Sequence, residues 1–159
     1  MIGLLQRVSS AAVTVAGETV GAIGGGLLVL VGVQPGDSPA QASQLLQRLL
    51  DYRVFADANG KMNLSLRQTA GGLLLVPQFT LAADTRRGLR PSFTRAASPA
   101  VARELFQVLV TAAHAAHSPV ASGVFGADMQ VALVNEGPVT FWIEIPPSTE
   151  VDPGLQVGA

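Results

Sequence analysis

The chain has 159 residues, 48% of them apolar and 13% charged, with a net charge of −1 and no cysteine. That length fits one domain with ample material for a core. The missing cysteines exclude thiol catalysis, cysteine-ligated metals and disulfides, and they agree with a cytoplasmic location.

The first third reads as β. LLQRV and AAVTVAG alternate, or nearly so. Gly17-Glu18, before TVGAI, suits a tight hairpin with glycine at the first central position. Gly24-Gly25-Gly26 precedes a strand rather than a helix, so it reads as a turn or bulge, with phosphate binding a weak second. GLLVLVGV, from Gly26 to Val33, predicts a strand buried on both faces. It is the longest apolar run and falls far short of the ~18 residues of a membrane helix. MIGLLQRVSS carries no signal-peptide pattern.

Two helices follow the same recipe. Ser38 is placed to cap and Pro39 to start the first, with Ala42, Leu45, Leu46 and Leu49 at helical spacing. Ser98 and Pro99 open the second, with a stripe of Val101, Leu105, Leu109 and Ala112. Between them lie RVFAD, a turn at ANGK and the run GGLLLVPQFTLAAD. After the second helix, MQVALV and VTFWIEI read as two strands, joined by a short connection within NEGPVT, from Asn135 to Thr140. The tail from Pro146 is rich in Pro, Gly and Ser and reads as frayed. Strands grouped around two helices predict an α+β fold rather than repeating βαβ units. The apolar excess suggests a subunit interface, and so a homo-oligomer.

Conventional catalytic groups are scarce. His114 and His117 share a helix, yet no ligand partner lies near them in sequence, and an ordinary helix surface is the favoured reading. No GxSxG elbow is present. Asp84, Asp128 and Glu136 are scattered and form no carboxylate pair. Four of the ten basic residues fall in TRRGLRPSFTR: Arg86, Arg87, Arg90 and Arg95. Such a loop can hold phosphates, or be merely solvated. In PQFTL, Pro77 marks a strand end or edge. Gln78 and Thr80 would then face one way and Phe79 the other, as a ligand-facing rim or as an ordinary surface strand. Gly137-Pro138 reads as an ordinary turn if taken alone.

Taken together, LLQRVSSAAVTV, PQFTLAADTRRGLRPSFTRAA and GVFGADMQVALVNEGPVT resemble the D-aminoacyl-tRNA deacylases, the D-tyrosyl-tRNA(Tyr) deacylase family. The resemblance spans residues 1–145 in collinear order, as one domain with a tail at 146–159. It implies a β-barrel-like, antiparallel-rich α+β fold with two main helices, acting as a homodimer without a cofactor or metal. The implied reaction is hydrolysis of the ester between a D-amino acid and tRNA, and of glycine mischarged on tRNA(Ala).

Residue by residue, the resemblance implies that Gly137 and Pro138, joined by a cis bond, enter the partner's active site. There they would form a main-chain wall that excludes L-amino acids. Gln78, Phe79 and Thr80 match the reactive signature, with Pro77 where the family usually has serine. Thr80 is either a nucleophile or, as favoured here, part of a site that only positions the ester. In that case the N–H groups of Phe79 and Thr80 form an oxyanion hole and the ribose 2′-OH assists water. Met129 is expected to line the pocket. Arg7 is expected to meet the partner's Gly-Pro carbonyls. Arg86, Arg87 and Arg90 are expected to meet tRNA phosphates.

Overall fold

The structure is a computed structural model that describes residues 1–86 and 88–147. Its axis is a long strand, β1 (Ile2–Val15), hydrogen-bonded along both edges. On one edge, residues 11–15 pair antiparallel with β2 (Glu18–Ile23) and residues 2–8 with β3 (Gly26–Gly32). Thus β2 and β3 form one hairpin arm, broken at Gly24 and Gly25. On the other edge β8 (Met129–Glu144) runs antiparallel to β1 along nearly its whole length. The β1–β2 turn lies one residue earlier than expected. Its central residues are Ala16 and Gly17, both at positive φ (50° and 87°). Two left-handed residues are what a two-residue turn between twisted strands requires.

The sheet continues from β3 through β6 (Gly72–Pro77) to β7 (Val120–Ser122), and both of these pairings are parallel. The sequence did not show this. An apolar run identifies a buried strand and says nothing of its partner's direction. The far strands then approach each other. A Cβ built on Gly21 of β2 would lie 2.7 Å from the Ser122 carbonyl oxygen of β7. The result is a mixed sheet, antiparallel along β1 and nearly closed into a barrel, with three α-helices among the described residues. A two-stranded ribbon, β4 (Phe55–Ala56) with β5 (Met62–Leu64), stands apart.

Both expected helices form, α1 (Pro39–Asp51) and α3 (Pro99–Ala116), together with a short α2 (Leu66–Thr69). The Ser38 hydroxyl accepts from the Ala40 N–H, and the Gln41 side chain reaches back to the Ser38 N–H at 3.0 Å. This reciprocal cap satisfies amides that the first turn leaves free. In α3 the buried face is Ala102, Leu105, Phe106, Leu109, Val110 and Ala113. The expected stripe was therefore rotated: Val101 is exposed, because the face continues from Leu105 back to Ala102 at three-residue spacing.

Alternation along β3 and β6 divides the core. Leu27, Val29, Val31, Leu73 and Leu75 pack with the helices, whereas Leu28, Leu74 and Val76 join Val8 and Val13 in a second cluster. Both strands are buried on both faces, as expected for β3. Each fully buried leucine contributes about 2 kcal/mol.

One contact limits how these strands meet. Gly26 pairs with Gly72, and a Cβ on Gly26 would overlap the Gly72 backbone. Gly26→Ala is therefore expected to force β3 and β6 apart and to cost about 3 kcal/mol or more. Gly24, with nothing within 4 Å of an added Cβ, should accept alanine almost neutrally. Thermal denaturation of the two variants checks this, and equal losses would refute the close-packing account.

Candidate active site

Strand β6 ends where Pro77 has no N–H to offer. Gln78 makes the last bond to β3, its N–H donating to the Val31 carbonyl at 2.7 Å. The chain then winds into a single 3-10 turn, Phe79–Ala82. So Gln78 and Thr80 do not alternate along a strand as expected. The turn instead brings their side chains together, and the Gln78 amide Nε2 donates to Thr80 Oγ1 at 2.8 Å. The N–H groups of Phe79 and Thr80 open the turn and donate to no described residue, as expected at the start of a helical turn. Phe79 is exposed, with its ring 5.1 Å from that of Phe93.

Gln78 lines a cleft of about 480 Å³ with Met129, Gln6 and Asp128. Thr80 lines a second cleft of about 360 Å³, with Arg95 and Trp142. Met129 is fixed from behind, its Sδ accepting from the Val124 N–H at 3.3 Å. A larger cleft of about 940 Å³ lies between α3 and residues 122–125, with none of the expected site residues in its wall. Phe125 lies there under the Arg103 guanidinium, 4.8 Å from the ring centroid.

Gly137 and Pro138 occupy a different kind of place. β8 does not turn at NEGPVT. It continues along β1, with Thr140 opposite Gln6 and Asn135 opposite Val8. Residues 136–139 therefore all stand against Arg7 alone, and the excess chain bulges outward. The expected connection between two strands is a bulge within one. Glycine and proline do signal a break in regular pairing, but the partner strand decides whether the chain reverses there. The Gly137–Pro138 bond is cis, and both residues are exposed.

Side chains hold the bulge. Asn135 spans its neck, with Oδ1 accepting from the Val139 N–H at 3.0 Å and Nδ2 donating to Thr140 Oγ1 at 2.7 Å. Arg7 donates from Nε to the Glu136 carbonyl at 3.2 Å and from Nη1 to the Val54 carbonyl at 2.6 Å. Arg7 therefore grips the carbonyls of its own chain. The role of Asn135 was missed in the sequence, though its place at the head of the motif was visible.

Adjacent strand residues point to opposite faces. Gln6 lines the Gln78 cleft while Arg7 lies under the bulge, so the bulge lies on the other side of β1 from that cleft. None of residues 135–140 lines it.

The histidines do not form a site. His114 is exposed, and His117 Nε2 bonds the Gly71 carbonyl at 2.7 Å. Among the described residues no group of three or more His, Cys, Asp or Glu could hold a metal, and no helix is long and apolar enough to cross a membrane. Arg86 is exposed but ion-paired with Asp84, Nη2 to Oδ2 at 2.5 Å. Arg90 is exposed, and Arg87 lies outside the described residues, as do residues 148–159 of the expected tail.

Against known families, residues 4–144 match the model described as D-Tyr-tRNA(Tyr) deacylase. The chain belongs to this family. A D-aminoacyl-tRNA deacylase of Thioalkalivibrio sulfidiphilus is 67% identical over 147 residues, which is 92% of this chain and 99% of that one. One from Pseudomonas putida is 66% identical over 145 residues, covering 91% and 100%. A solved structure named c-Myc DNA Unwinding Element Binding Protein aligns with a TM-score of 0.87 at 35% identity, covering 92% of this chain and 99% of that one.

The loop that follows the 3-10 turn is tied at its base. Asp84 and Ser92 exchange backbone bonds of 2.7 and 3.1 Å. The hydrogen bonds from Arg86 hold the Asp84 carboxyl well below its ordinary value of 3.8. A depressed carboxyl contributes fully above the ordinary range, and the contribution fades only as pH falls below it. The Asp84 side-chain resonance is thus expected to stay flat from about pH 3 to pH 6, where a free Asp titrates. An NMR transition near 3.8 would show that the pair does not form in solution.

Proposed function

We propose that the chain hydrolyses the ester joining a D-amino acid, or glycine mischarged on tRNA(Ala), to the 3′ end of tRNA. Family membership supports the reaction class. The observation that carries the mechanism is the turn at Gln78–Thr80, where two unengaged N–H groups stand beside a hydroxyl that has no base. Thr80 Oγ1 meets the Gln78 amide, which cannot remove its proton. The turn is suited to polarising an ester carbonyl through the Phe79 and Thr80 N–H groups. Gln78 orients the terminal ribose, whose 2′-OH assists the attacking water. An aminoacyl ester is already activated, so positioning supplies the remaining rate. Met129 and Pro77 form the pocket wall, and Arg86, Arg87 and Arg90 meet tRNA phosphates. Such a substrate places the enzyme in the cytoplasm.

Selection against L-amino acids comes from the bulge of a second copy. Within one chain the bulge faces away from the Gln78 cleft, and Gly137 and Pro138 are open to solvent. Val134 (57% exposed) and Trp142 (51%) stand on the same strand, giving an apolar surface for a homodimer. The two Gly-Pro carbonyls then face the substrate α-carbon and occupy the space of an L side chain. A D side chain points elsewhere, and glycine has none. Arg7 and Asn135 fix the bulge within its own subunit.

Incubation with D-Tyr-tRNA and L-Tyr-tRNA tests this reading. Enzyme-dependent ester loss is expected for the D form only, and no release from it would reject the assignment. Thr80→Ala is expected to keep near-normal D-specific turnover. If it abolishes turnover, Thr80 is the nucleophile. Gly137→Ala adds a Cβ 2.9 Å from Arg7 Nη2 at φ +123°, which displaces the wall. Activity on D-Tyr-tRNA should fall about 100-fold, the cost of a 1 Å misplacement. Unchanged kinetics in this variant would exclude the wall.

A further inference from the structure

The ester chemistry leaves one aromatic pair unused. Phe79 and Phe93 are 55% and 42% exposed, and their ring centroids lie 5.1 Å apart at an interplanar angle of 58°. They stabilise little core while open to water. Phe79 sits between Gln78 and Thr80, so the pair begins at the reacting end of the site. Phe93 follows directly on the Asp84–Ser92 bridge, which anchors its segment beside the 3-10 turn. A cation follows Phe93 by two residues, Arg95, whose charge also acts on the Asp84 carboxylate. Arg95 shares the Thr80 cleft and donates no hydrogen bond to any described residue. Arg86 is ion-paired with Asp84 while its side chain stays exposed. Glu144 lines the same cleft, so Arg95 supplies the attraction for an anion there and Glu144 opposes it.

We propose that Phe79, Phe93 and Arg95 form a subsite for the unpaired nucleotide directly upstream of the terminal adenosine. The ring pair stacks the base and the guanidinium meets a backbone phosphate. The inference rests on the proposed tRNA substrate. Single-stranded RNA ends are held in this way, by stacking on aromatic rings and by cations along the backbone. Stacking tolerates any base, which suits an enzyme acting on many tRNAs. The subsite also separates two tasks: the Gln78–Thr80 turn handles the ester, and the aromatic pair retains the strand that delivers it.

Steady-state hydrolysis of D-Tyr-tRNA and of the minimal ester D-Tyr-adenosine tests the subsite, since only the first carries the upstream nucleotide. Phe93→Ala is expected to raise KM for D-Tyr-tRNA about 5- to 100-fold, the range for losing one base stack. Its kcat, and both constants for D-Tyr-adenosine, should stay unchanged. Phe93→Tyr should restore the tRNA value. Arg95→Gln should flatten the salt dependence seen with tRNA alone. Equal losses on both substrates would make Phe93 a prop for the turn and overturn the subsite, as would no loss on either. If the unaltered protein hydrolyses neither substrate, the proposed function falls and the subsite with it. If it hydrolyses both and Phe93→Ala fails to separate them, the subsite alone falls.

Discussion

The antiparallel pairing of β1 with β8 sets where everything else can stand. β1 is bonded on both edges, so neither β2 and β3 nor β8 can slide without breaking a ladder. Slipping by one residue would also turn the buried face outward. One end of the pair is clamped further. The Met1 ammonium is buried and donates to the Asp37 carboxylate and to the Ile145 carbonyl, each at 2.6 Å. In return the Ile145 N–H donates to the Met1 carbonyl. A buried charge is tolerated only when its hydrogen bonds are filled, and Asp37 also accepts from the Gln34 N–H. At the other end, Val15 pairs with Met129. With both ends fixed, the surplus residues 136–139 have nowhere to go but outward.

An outward loop of four residues has no sheet bonds of its own and needs side chains to give it a shape. Asn135 closes the neck. Arg7 joins the loop to the Val54 carbonyl, just past α1. Close by, Tyr52 meets Phe141 edge-on at 5.4 Å, tying the same segment to β8. The bulge is thus braced from two sides by residues far apart in sequence. The same β1 strand aims Gln6 at the cleft on its other face. One element therefore positions both the cleft and the bulge, and it keeps them apart within a chain.

What could be read from the sequence was what is local. Ser-Pro starts and helical spacing announce α1 and α3, because capping and amphipathicity act within a few residues. The all-apolar run at β3 announces a strand with no solvent face. The motifs around Gln78 and Gly137 carried the family. What stayed hidden depends on partners distant in sequence. The direction of β6 and β7 is decided by which edge β3 leaves open. The role of NEGPVT depends on β1 continuing beside it, and without that partner Gly-Pro looks like a turn. The rotated face of α3 shows the same limit, since Val101 fits the spacing yet stands on the outer side of the first turn. Strand spacing places Gln78 and Thr80 on one face, but Pro77 ends the strand and the turn that follows brings the two side chains into contact.

In the proposed mechanism no side chain acts as acid or base on the ester, so the burden shifts from reactive groups to the backbone that holds the substrate. On the proposed reading, the ester meets main-chain N–H groups on one side and main-chain carbonyls on the other. Neither depends on which side chain the contacting residue carries, because every residue presents a carbonyl and every residue but proline an N–H. An added Cβ at Gly137 would strike Arg7 and Val139 before it touched a substrate. The wall can therefore be changed mainly through its supports, Arg7, Asn135 and Thr140, none of which touches the substrate in this reading. A side-chain pocket couples selectivity to the identity of one amino acid. Under the proposal selectivity depends on the posture of a bulge, so it would treat all D residues alike. Glycine would pass for the same reason, since it places nothing in the space that the proposed wall denies.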